Sequence, residues 1–167
     1  ASGKDLTGPQ TIDGVKVYFN PGGVQVKGGF GWDGHYYDKD SGALVTNKFV
    51  EEYGRTYYVD ENGNKAIGSK EVNGAWNYFD KHGELITNNF APDGRYYDKY
   101  GKQVDFGTNR YFELNGEWYY AGNDGAILKG PQTIDGVKVY FDQGGVQVKG
   151  YFVKDSTDNN ERYYDKD

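Results

Sequence analysis

Two sets of three side chains combine a tyrosine ring, a glutamine amide and a lysine amine at the same spacing. They are Tyr18, Gln25 and Lys27, and Tyr140, Gln147 and Lys149. A pyranose has apolar C–H faces that can lie on an aromatic ring, and the amphipathic ring of tyrosine suits this contact. The amide both donates and accepts hydrogen bonds whereas the ammonium only donates, so the pair matches a rim of sugar hydroxyls. The pattern therefore indicates sites for a neutral carbohydrate.

Alternation along the strands assigns these rings to the surface. In the first set Val15, Val17 and Phe19 share one face of a strand, and Tyr18 lies on the opposite face. The apolar face is the natural core of a hairpin. We therefore expect Tyr18 and its equivalent Tyr140 to point outward, beside the glutamine and the lysine.

The two sets lie within two nearly identical segments. Residues 8–30 and 130–152 are the same at 20 of 23 positions. By the same alignment, Tyr36 and Tyr163 are the expected outward rings of the repeats that follow each copy. Other repeats lack the full set, and the second one has Leu44 at the glutamine position. We expect such repeats to be spacers or weaker sites.

An aromatic pair recurs eight times along the chain, at intervals of 18 to 23 residues. The pairs are Tyr18-Phe19, Tyr36-Tyr37, Tyr57-Tyr58, Tyr78-Phe79, Tyr96-Tyr97, Tyr119-Tyr120, Tyr140-Phe141 and Tyr163-Tyr164. A tight-turn dipeptide such as Asp13-Gly14 precedes most pairs, and a second glycine turn follows, which is typical of β-hairpins. A short hairpin is marginally stable alone, so a repeat of this kind indicates stacking of neighbours.

The sequence therefore predicts an all-β fold, a β-solenoid of about eight stacked β-hairpin repeats of 18–23 residues. We expect one repeat domain over residues 1–167, as a segment of a longer protein. The predicted repeat units are roughly residues 7–30, 31–49, 50–68, 69–90, 91–106, 107–130, 131–152 and 153–167. Aromatic residues make up 17% of the chain, which argues against disorder. No stretch has a helical period.

Composition excludes several classes of partner. The net charge of −6 argues against binding to nucleic acid or to an anionic membrane, which need clustered positive charge. No apolar run approaches the roughly 18 residues of a membrane-spanning helix. The chain has no cysteine, so it has neither a disulfide framework nor a cysteine metal site. We expect a monomer without a cofactor or metal.

Catalysis is not expected either. A glycosidase needs two carboxylates at a set separation. The acidic residues here lie mainly at turn positions, which favour aspartate for backbone reasons. A hairpin stack also rarely provides the deep cleft that such a reaction needs.

Three motifs resemble a known family. The runs Gln-Thr-Ile-Asp-Gly, Val-Tyr-Phe and Gly-Gly-Val-Gln-Val-Lys-Gly, found in residues 8–28 and 130–150, resemble the glucan-binding repeats of bacterial glucansucrases. These enzymes are the dextran-making glucosyltransferases. Residues 36–49 are similar to the same repeats. The resemblance covers essentially the whole chain and is most specific in the first, second and seventh units.

The resemblance implies a non-catalytic module attached to a sucrose-using catalytic domain that lies outside this chain. It implies α-glucan, such as dextran or isomalto-oligosaccharides, as the partner, and a secreted or cell-surface protein of a Gram-positive bacterium. Sugar pockets in that family form between successive units from an aromatic platform with glutamine and lysine. This carries over to the residues of the two sets named above, with Tyr36 and Tyr163 beside them.

Other readings remain open at this stage. Choline-binding modules resemble the chain in their Gly-x-Trp-Tyr-Tyr hairpins, which residues 116–120 match. Choline needs an aromatic cage around its cation, usually with tryptophan in every repeat, and this chain has three tryptophans. Clostridial toxin repeats, which bind host oligosaccharides, also contain similar hairpins. A rigid spacer is the remaining alternative, and it is compatible with glucan binding.

Overall fold

The computed structural model describes residues 5–154 and 161–164, and all regular secondary structure in these residues is β-strand. The strands are β1 Gly8–Ile12, β2 Val15–Phe19, β3 Gly29–Phe30, β4 Tyr36–Tyr37, β5 Lys48–Glu52, β6 Arg55–Val59, β7 Gly68–Val72, β8 Ala75–Phe79, β9 Asn89–Phe90, β10 Tyr96–Tyr97, β11 Gln103–Val104, β12 Arg110–Leu114, β13 Glu117–Ala121, β14 Gly130–Ile134, β15 Val137–Phe141, β16 Tyr151–Lys154 and β17 Glu161–Tyr164. Among the described residues, no helix is long and apolar enough to cross a membrane.

These strands form eight small sheets, and each sheet contains one of the eight aromatic pairs. Seven sheets are antiparallel two-stranded hairpins, and β9, β10 and β11 form a three-stranded sheet in the order β11-β10-β9. In β1–β2 the register places Gly8 opposite Phe19 and Ile12 opposite Val15. The predicted all-β class and the hairpin repeat are confirmed. The boundaries of the repeat units stay a prediction.

Five hairpins turn over two residues that both have positive φ, as a type I′ turn requires. In β1–β2 these residues are Asp13 at φ 50° and Gly14 at φ 79°. Asparagine or aspartate occupies the first turn position in four of the five hairpins, because these side chains tolerate the left-handed region. The fifth hairpin, β5–β6, has Tyr53 there, at φ 50°.

A second turn, after each of the first seven hairpins, is built around an asparagine or aspartate side chain. Oδ1 of Asp60 accepts hydrogen bonds from the backbone N–H groups of Asn62 and Asn64, both at 2.9 Å. After this turn a short extended segment, here called the tail, runs back along the hairpin. In the seventh repeat the tail contains Gln147 and Lys149, and Gln147 pairs with Phe141. The tail is the element that carries the predicted glutamine and lysine.

The described chain divides into two compact bodies. The first comprises residues 5–89 and 97–103, and the second comprises residues 90–96, 104–154 and 161–164. Within the first body, the N–H of Leu44 donates to the carbonyl of Lys16 at 2.8 Å. Within the second body, the N–H of Gln147 donates to the carbonyl of Trp118 at 2.7 Å. Each tail is thereby held against the hairpin of the preceding repeat.

Aromatic and β-branched residues fill the interior of each body. In the first body Val50, Tyr57 and Val59 form a buried cluster, with Phe30 and Tyr36 packed against it. The cluster of the second body consists of Phe112, Tyr119, Ala121 and Ile127, with Phe90, Phe106, Leu114 and Val146 packed against it. The Phe106 and Phe112 rings stack there with centroids 4.0 Å apart. The core is therefore made of ring contacts distributed along the chain.

The predicted outward position of Tyr18 is wrong. Only 7% of Tyr18 is exposed, whereas 43% of Val15 and 63% of Val24 are exposed. Of the expected core residues of β2, Val17 is buried and Phe19 is half-buried. Alternation along a strand predicts only one covered face for each hairpin. In the structure the next hairpin covers the second face near the end of β2, so Tyr18 is buried there.

Candidate functional site

The predicted tyrosine platforms lie in ring stacks between consecutive hairpins. Tyr18 stacks on Tyr37 with ring centroids 5.7 Å apart and an angle of 28° between the ring planes. The hydroxyl of Tyr37 donates to Oδ2 of Asp33 at 2.6 Å. In the seventh repeat, the half-buried Tyr140 lies against Tyr164, with ring centroids 5.6 Å apart and the ring planes tilted by 38°. These contacts give both tyrosines a structural role.

The other two predicted tyrosines differ in exposure. Tyr36 is half-buried, makes an edge contact with Phe30 and donates its hydroxyl to the carbonyl of Glu51 at 3.1 Å. Burial, followed by the nearby charges of the acidic side chains, raises the pKa of Tyr36 above its ordinary value. Tyr163 is 51% exposed, as predicted. The sugar-binding roles of both residues stay predictions.

The structure brings Gln147 and Lys149 together in one cleft of about 460 Å³ in the second body. Its rings come from Trp118 and Tyr111, neither of which belongs to the predicted set. The remaining lining residues are Ile134, Asp135, Val137 and Val139. The tail of the seventh repeat thus meets the face of the hairpin that precedes it, and Tyr140 and Tyr163 are not among the residues that line the cleft.

Strand register explains why Trp118 and Tyr111 face this cleft. Tyr111 lies opposite Tyr120, and Trp118 lies opposite Glu113, so these pairs share one face of β12–β13. The Tyr111 ring makes an edge contact with Tyr120 at 4.8 Å and lies 6.4 Å from the buried Phe141. Nearer the turn, Trp118 stays 44% exposed. The sheet therefore holds one ring firmly and leaves the other accessible.

The polar groups of this cleft can both donate and accept hydrogen bonds. Burial, then the neighbouring Tyr120 and Asp135, raises the pKa of Tyr111, so its phenol remains a neutral donor at physiological pH. Lys149 supplies ammonium donors, Gln147 supplies an amide that both donates and accepts, and Asp135 supplies a carboxylate acceptor. This composition suits a ligand that has an apolar face and many hydroxyl groups.

The first copy of the set is arranged differently. Gln25 and Lys27 also share a cleft, of about 430 Å³, but it is lined by Glu51, Glu52 and Tyr53 from the β5–β6 hairpin. The Lys27 ammonium donates to the carbonyl of Asp40 at 3.1 Å. Asn20, Val26, Gly28, Gly29 and Phe30 complete the lining. Tyr18 and Tyr36 do not line it, so here too the glutamine and lysine are brought together without their predicted rings.

A third cleft shows what happens when the set is absent. Between β1–β2 and the tail of the second repeat, Lys16 and Leu44 occupy the positions that Trp118 and Gln147 occupy in the second body. This cleft of about 450 Å³ contains His35, whose Nδ1 lies 3.2 Å from a carboxylate oxygen of its neighbour Asp33. It has no exposed indole, so equivalent backbone positions form chemically different clefts.

One lysine lies against aromatic rings. The ammonium of Lys65 is 3.8 Å from the centroid of Phe30 and 4.4 Å from that of Tyr57. The two rings meet edge to face with centroids 5.2 Å apart. A cation near ring faces is stabilised by their quadrupoles. Among the described residues, no group of three histidine, cysteine, aspartate or glutamate side chains could hold a metal ion.

Sequence reasoning missed Trp118, Tyr111 and Tyr53 as cleft residues. The Gly-Glu-Trp-Tyr-Tyr run of residues 116–120 carries the signal for Trp118, although this run resembles choline-binding hairpins. For Tyr53, the signal was its place before Gly54, where other hairpins have aspartate or asparagine. Tyr111 carried no local signal, because its role depends on register across the hairpin.

Successive hairpins with open clefts between them define the class of protein as an all-β hairpin-repeat binding module. Residues 6–49 and 128–167, together half of the chain, match the family model of the choline-binding repeat. This chain belongs to that family.

The curated relatives sharpen this assignment. Glucosyltransferase-I of Streptococcus downei is 40% identical over an alignment of 169 residues, which covers 99% of this chain and 10% of that protein. Glucosyltransferase-S of Streptococcus mutans serotype c is 36% identical over an alignment of 160 residues, which covers 92% of this chain and 11% of that protein. The chain thus spans about a tenth of the length of these relatives. The resemblance to glucosyltransferase repeats is confirmed, and the matched part is a non-catalytic region.

Solved structures support the same fold. The modular autolysin LytC of Streptococcus pneumoniae, in complex with a synthetic peptidoglycan ligand, matches with a TM-score of 0.60 and 15% identity, over 93% of this chain and 37% of that chain. Choline binding protein F of the same species matches with a TM-score of 0.57 and 24% identity, over 95% of this chain and 56% of that chain. At these identities the likeness concerns the fold alone.

Proposed function

We propose that this chain is a non-catalytic module that binds α-glucan, with its principal site in the cleft of Trp118, Gln147 and Lys149. One observation carries the proposal: an exposed indole lies in the same cleft as an amide and an ammonium group. The indole is a flat apolar platform for a sugar ring, and the two polar groups can bind its hydroxyls.

The binding mode follows from the shape of the cleft. Its volume falls in the range of small-molecule sites, but the platform is open to solvent. A sugar bound there therefore loses little contact with water. A single site is therefore expected to be weak. Several sites on one polymer raise the apparent affinity through effective concentration. This favours a long polysaccharide over a short oligosaccharide.

The relatives support the choice of glucan and of location. Two streptococcal glucosyltransferases match nearly the whole chain at 36% to 40% identity. We extend the proposal to a secreted or cell-surface parent protein of a Gram-positive bacterium. In that protein the module, acting as a monomer, holds glucan close to a catalytic domain that uses sucrose.

Native gels cast with dextran test the proposal. Trp118→Ala is the test variant, and Trp76→Ala is its matched control. Trp76 occupies the equivalent position in β8, opposite Glu71, and is 47% exposed against 44% for Trp118. Trp76 does not line the cleft that contains Gln147 and Lys149. Loss of the stacking platform should weaken retardation by dextran about tenfold, while the control keeps it.

The comparison ligands separate the alternatives. Retardation of the parent chain by dextran, and not by amylose, supports an α-glucan module with a linkage preference. No retardation by dextran, with circular dichroism showing an intact β-fold, rejects the proposal and leaves the spacer reading. Equal loss in both tryptophan variants would place the platform elsewhere.

Choline binding is the second candidate, and the family match is the observation that favours it. The Phe30 and Tyr57 rings already have the Lys65 ammonium against them, at the distance a ligand cation would take. This internal cation disfavours choline at that pair. Choline added to the dextran gels checks the point: competition by choline at millimolar concentration would favour the second candidate.

A further inference from the structure

The hairpin β14–β15 borders a second cleft, apart from the one that contains Trp118. This cleft has a volume of about 250 Å³, and the described residues that line it are Pro131, Gln132, Thr133, Lys138, Arg162 and Tyr164. None of them lines the cleft to which we assign glucan. Two basic side chains and no described aromatic platform other than a buried tyrosine give this cleft a different chemistry.

The same six positions of the repeat line a cleft in the first body. They are Pro9, Gln10, Thr11, Lys16, His35 and Tyr37. In both copies the proline, threonine and lysine are exposed, the glutamine and the histidine or arginine are half-buried, and the tyrosine is buried. Nε2 of Gln10 donates to the Thr7 carbonyl at 2.9 Å, and Gln132 makes the same bond to the Lys129 carbonyl at 2.9 Å. The arrangement is therefore a repeated feature of the fold.

Strand register and a ring contact bring the two basic side chains of the second body to one cleft. Thr133 lies opposite Lys138 across β14–β15, so their side chains share a face of the hairpin. Arg162 and Tyr164 are two residues apart on β17 and likewise share a face. The Tyr164 ring packs against Tyr140 of β15, which holds β17 beside this hairpin. The ring contact thereby fixes the strand that carries the arginine.

The side chains of this cleft suit an anion that also carries hydroxyl groups. The ammonium of Lys138 and the guanidinium of Arg162 only donate hydrogen bonds, and a guanidinium can bind two oxygens of one phosphate. The Thr133 hydroxyl and the Gln132 amide both donate and accept, as the binding of an alcohol requires. A neutral glucan has no charge for the two basic groups, whereas a phosphate ester of a polyol matches all four side chains.

We propose that the cleft of Lys138 and Arg162 binds the phosphate group of a polyol phosphate. The phosphate oxygens accept from the two basic side chains, and the adjoining hydroxyls bind Thr133 and Gln132. The inference does not depend on glucan binding, because the two clefts share no lining residue.

The first-body cleft is a weaker site of the same kind. It contains Lys16 and His35, but Asp33 also lines it, with Oδ2 3.2 Å from Nδ1 of His35. The carboxylate repels an anion and already engages one ring nitrogen of the histidine. An imidazole also lacks the paired donors with which a guanidinium binds phosphate.

Glycerol 3-phosphate titrated into the whole chain at neutral pH tests the proposal. It should shift the NMR signals of the Gln132 side-chain amide and of the Arg162 Nε–H together, with one dissociation constant on the order of 1 mM. Glycerol at the same concentration should shift neither signal. Equal shifts with glycerol, or no saturating shift with glycerol 3-phosphate, overturn the proposal.

A charge-matched pair of variants isolates the cleft. Lys138→Gln combined with Arg162→Gln should weaken binding of glycerol 3-phosphate at least about tenfold. Arg110→Gln combined with Lys129→Gln makes the same change in net charge within the same body, and neither residue lines the cleft. This control should bind within about twofold of the unsubstituted chain. Equal weakening in both would show that overall charge attracts the phosphate, which overturns the site.

Two checks keep the variants informative. Retardation by dextran should be unchanged in the Lys138→Gln, Arg162→Gln chain, so a failure of this proposal leaves the proposed function standing. If that chain loses its β-fold by circular dichroism, Lys138→Gln alone, at an exposed position, replaces it, with an expected loss of about threefold. Binding unchanged by Lys138→Gln would then overturn the site.

Two further ligands define the anion and its source. Sodium acetate that binds as tightly as glycerol 3-phosphate would overturn the assignment to phosphate. A linear poly(glycerol phosphate) should bind at least about tenfold more tightly per phosphate than the monomer if the ligand is a polymer, because it presents phosphates to both clefts at once. Equal affinity of polymer and monomer supports the site and assigns it to a free phosphate ester.

Discussion

Residues 8–30 and 130–152 fold into the same hairpin and tail, but their glutamine–lysine pairs line clefts of different composition. In the second copy the pair meets Trp118 of the preceding hairpin, and in the first copy it meets Tyr53 of a later hairpin. The strand registers are the same, with Gly8 opposite Phe19 and Gly130 opposite Phe141. β1–β2 is the first hairpin of the described residues, so the two clefts lie on different sides of their repeats, and in each of them a neighbouring hairpin supplies part of the lining.

One of the three positions at which the two copies differ bears on a contact of the first copy. Position 29 is glycine in the first copy, and the equivalent position 151 is tyrosine. A Cβ atom at Gly29 would lie 2.7 Å from Oε1 of Glu52, so the glycine permits the carboxylate to reach the N–H of Phe30. The hydrogen bond from the Phe30 N–H to the Glu52 carboxylate therefore depends on the missing side chain.

The largest effect is expected from truncating the same phenylalanine in each copy. Phe141 is fully buried near Tyr111 and Tyr120, whereas Phe19 is half-buried. Phe141→Ala should lower the free energy of unfolding by about 3 kcal/mol, because it removes a ring and leaves a cavity. Phe19→Ala should cost about half as much. Urea unfolding of both variants measures the two losses in the free energy of unfolding. Equal losses would contradict a difference in packing between Phe141 and Phe19.

Converting the first copy toward the second should have an intermediate effect. Gly29→Tyr displaces the Glu52 carboxylate and breaks its bond to the Phe30 N–H, which should cost about 1 kcal/mol in the free energy of unfolding. Gly22→Ala is the control, since its nearest neighbour would be Asn20 Oδ1 at 3.4 Å, an ordinary contact. Urea unfolding again gives the measurement. A Gly29→Tyr chain as stable as the control chain would show that the contact with Glu52 is dispensable.

The smallest effect concerns the hydrogen bond that the Tyr37 hydroxyl donates to Asp33. Burial, then the hydrogen bond to Asp33, raises the pKa of Tyr37 far above its ordinary value of 10.0. A folded-state pKa above the unfolded value contributes stability that is complete below pH 10 and is lost as the pH rises further. Tyr37→Phe should cost about 0.5–1 kcal/mol at neutral pH and make the loss of stability above pH 10 shallower.

Thermal unfolding followed from neutral to strongly alkaline pH, with tyrosinate absorbance as a second signal, checks this expectation. Tyr53→Phe serves as the control, because Tyr53 is almost fully exposed. An unchanged alkaline profile in Tyr37→Phe would show that the phenol–carboxylate bond contributes no stability.

Local patterns were sufficient to predict the architecture. The eight aromatic pairs mark the eight sheets, and dipeptides such as Asp13-Gly14 mark two-residue turns with positive φ. Turn chemistry and strand period are properties of a few adjacent residues, so they can be read without knowledge of the neighbours. The dipeptide Tyr53-Gly54 does not predict a two-residue turn, because tyrosine is rare at the first turn position.

The candidate sites could be predicted only in part. Gln147 and Lys149 do share a cleft, since residues two apart on an extended tail point to the same side. The outward position predicted for Tyr18 is wrong, because strand alternation describes one hairpin and cannot show that the ring of Tyr37 will cover it.

The sequence by itself determined the all-β hairpin repeat, the turns and the pairing of a glutamine with a lysine on each tail. Tertiary structure alone decided which rings are exposed beside them, Trp118 in one copy and Tyr53 in the other. The physical reason is that turns and strand period depend on local backbone preference. The exposure of a side chain depends instead on which hairpin packs against it, and contacts between residues far apart in sequence set that packing.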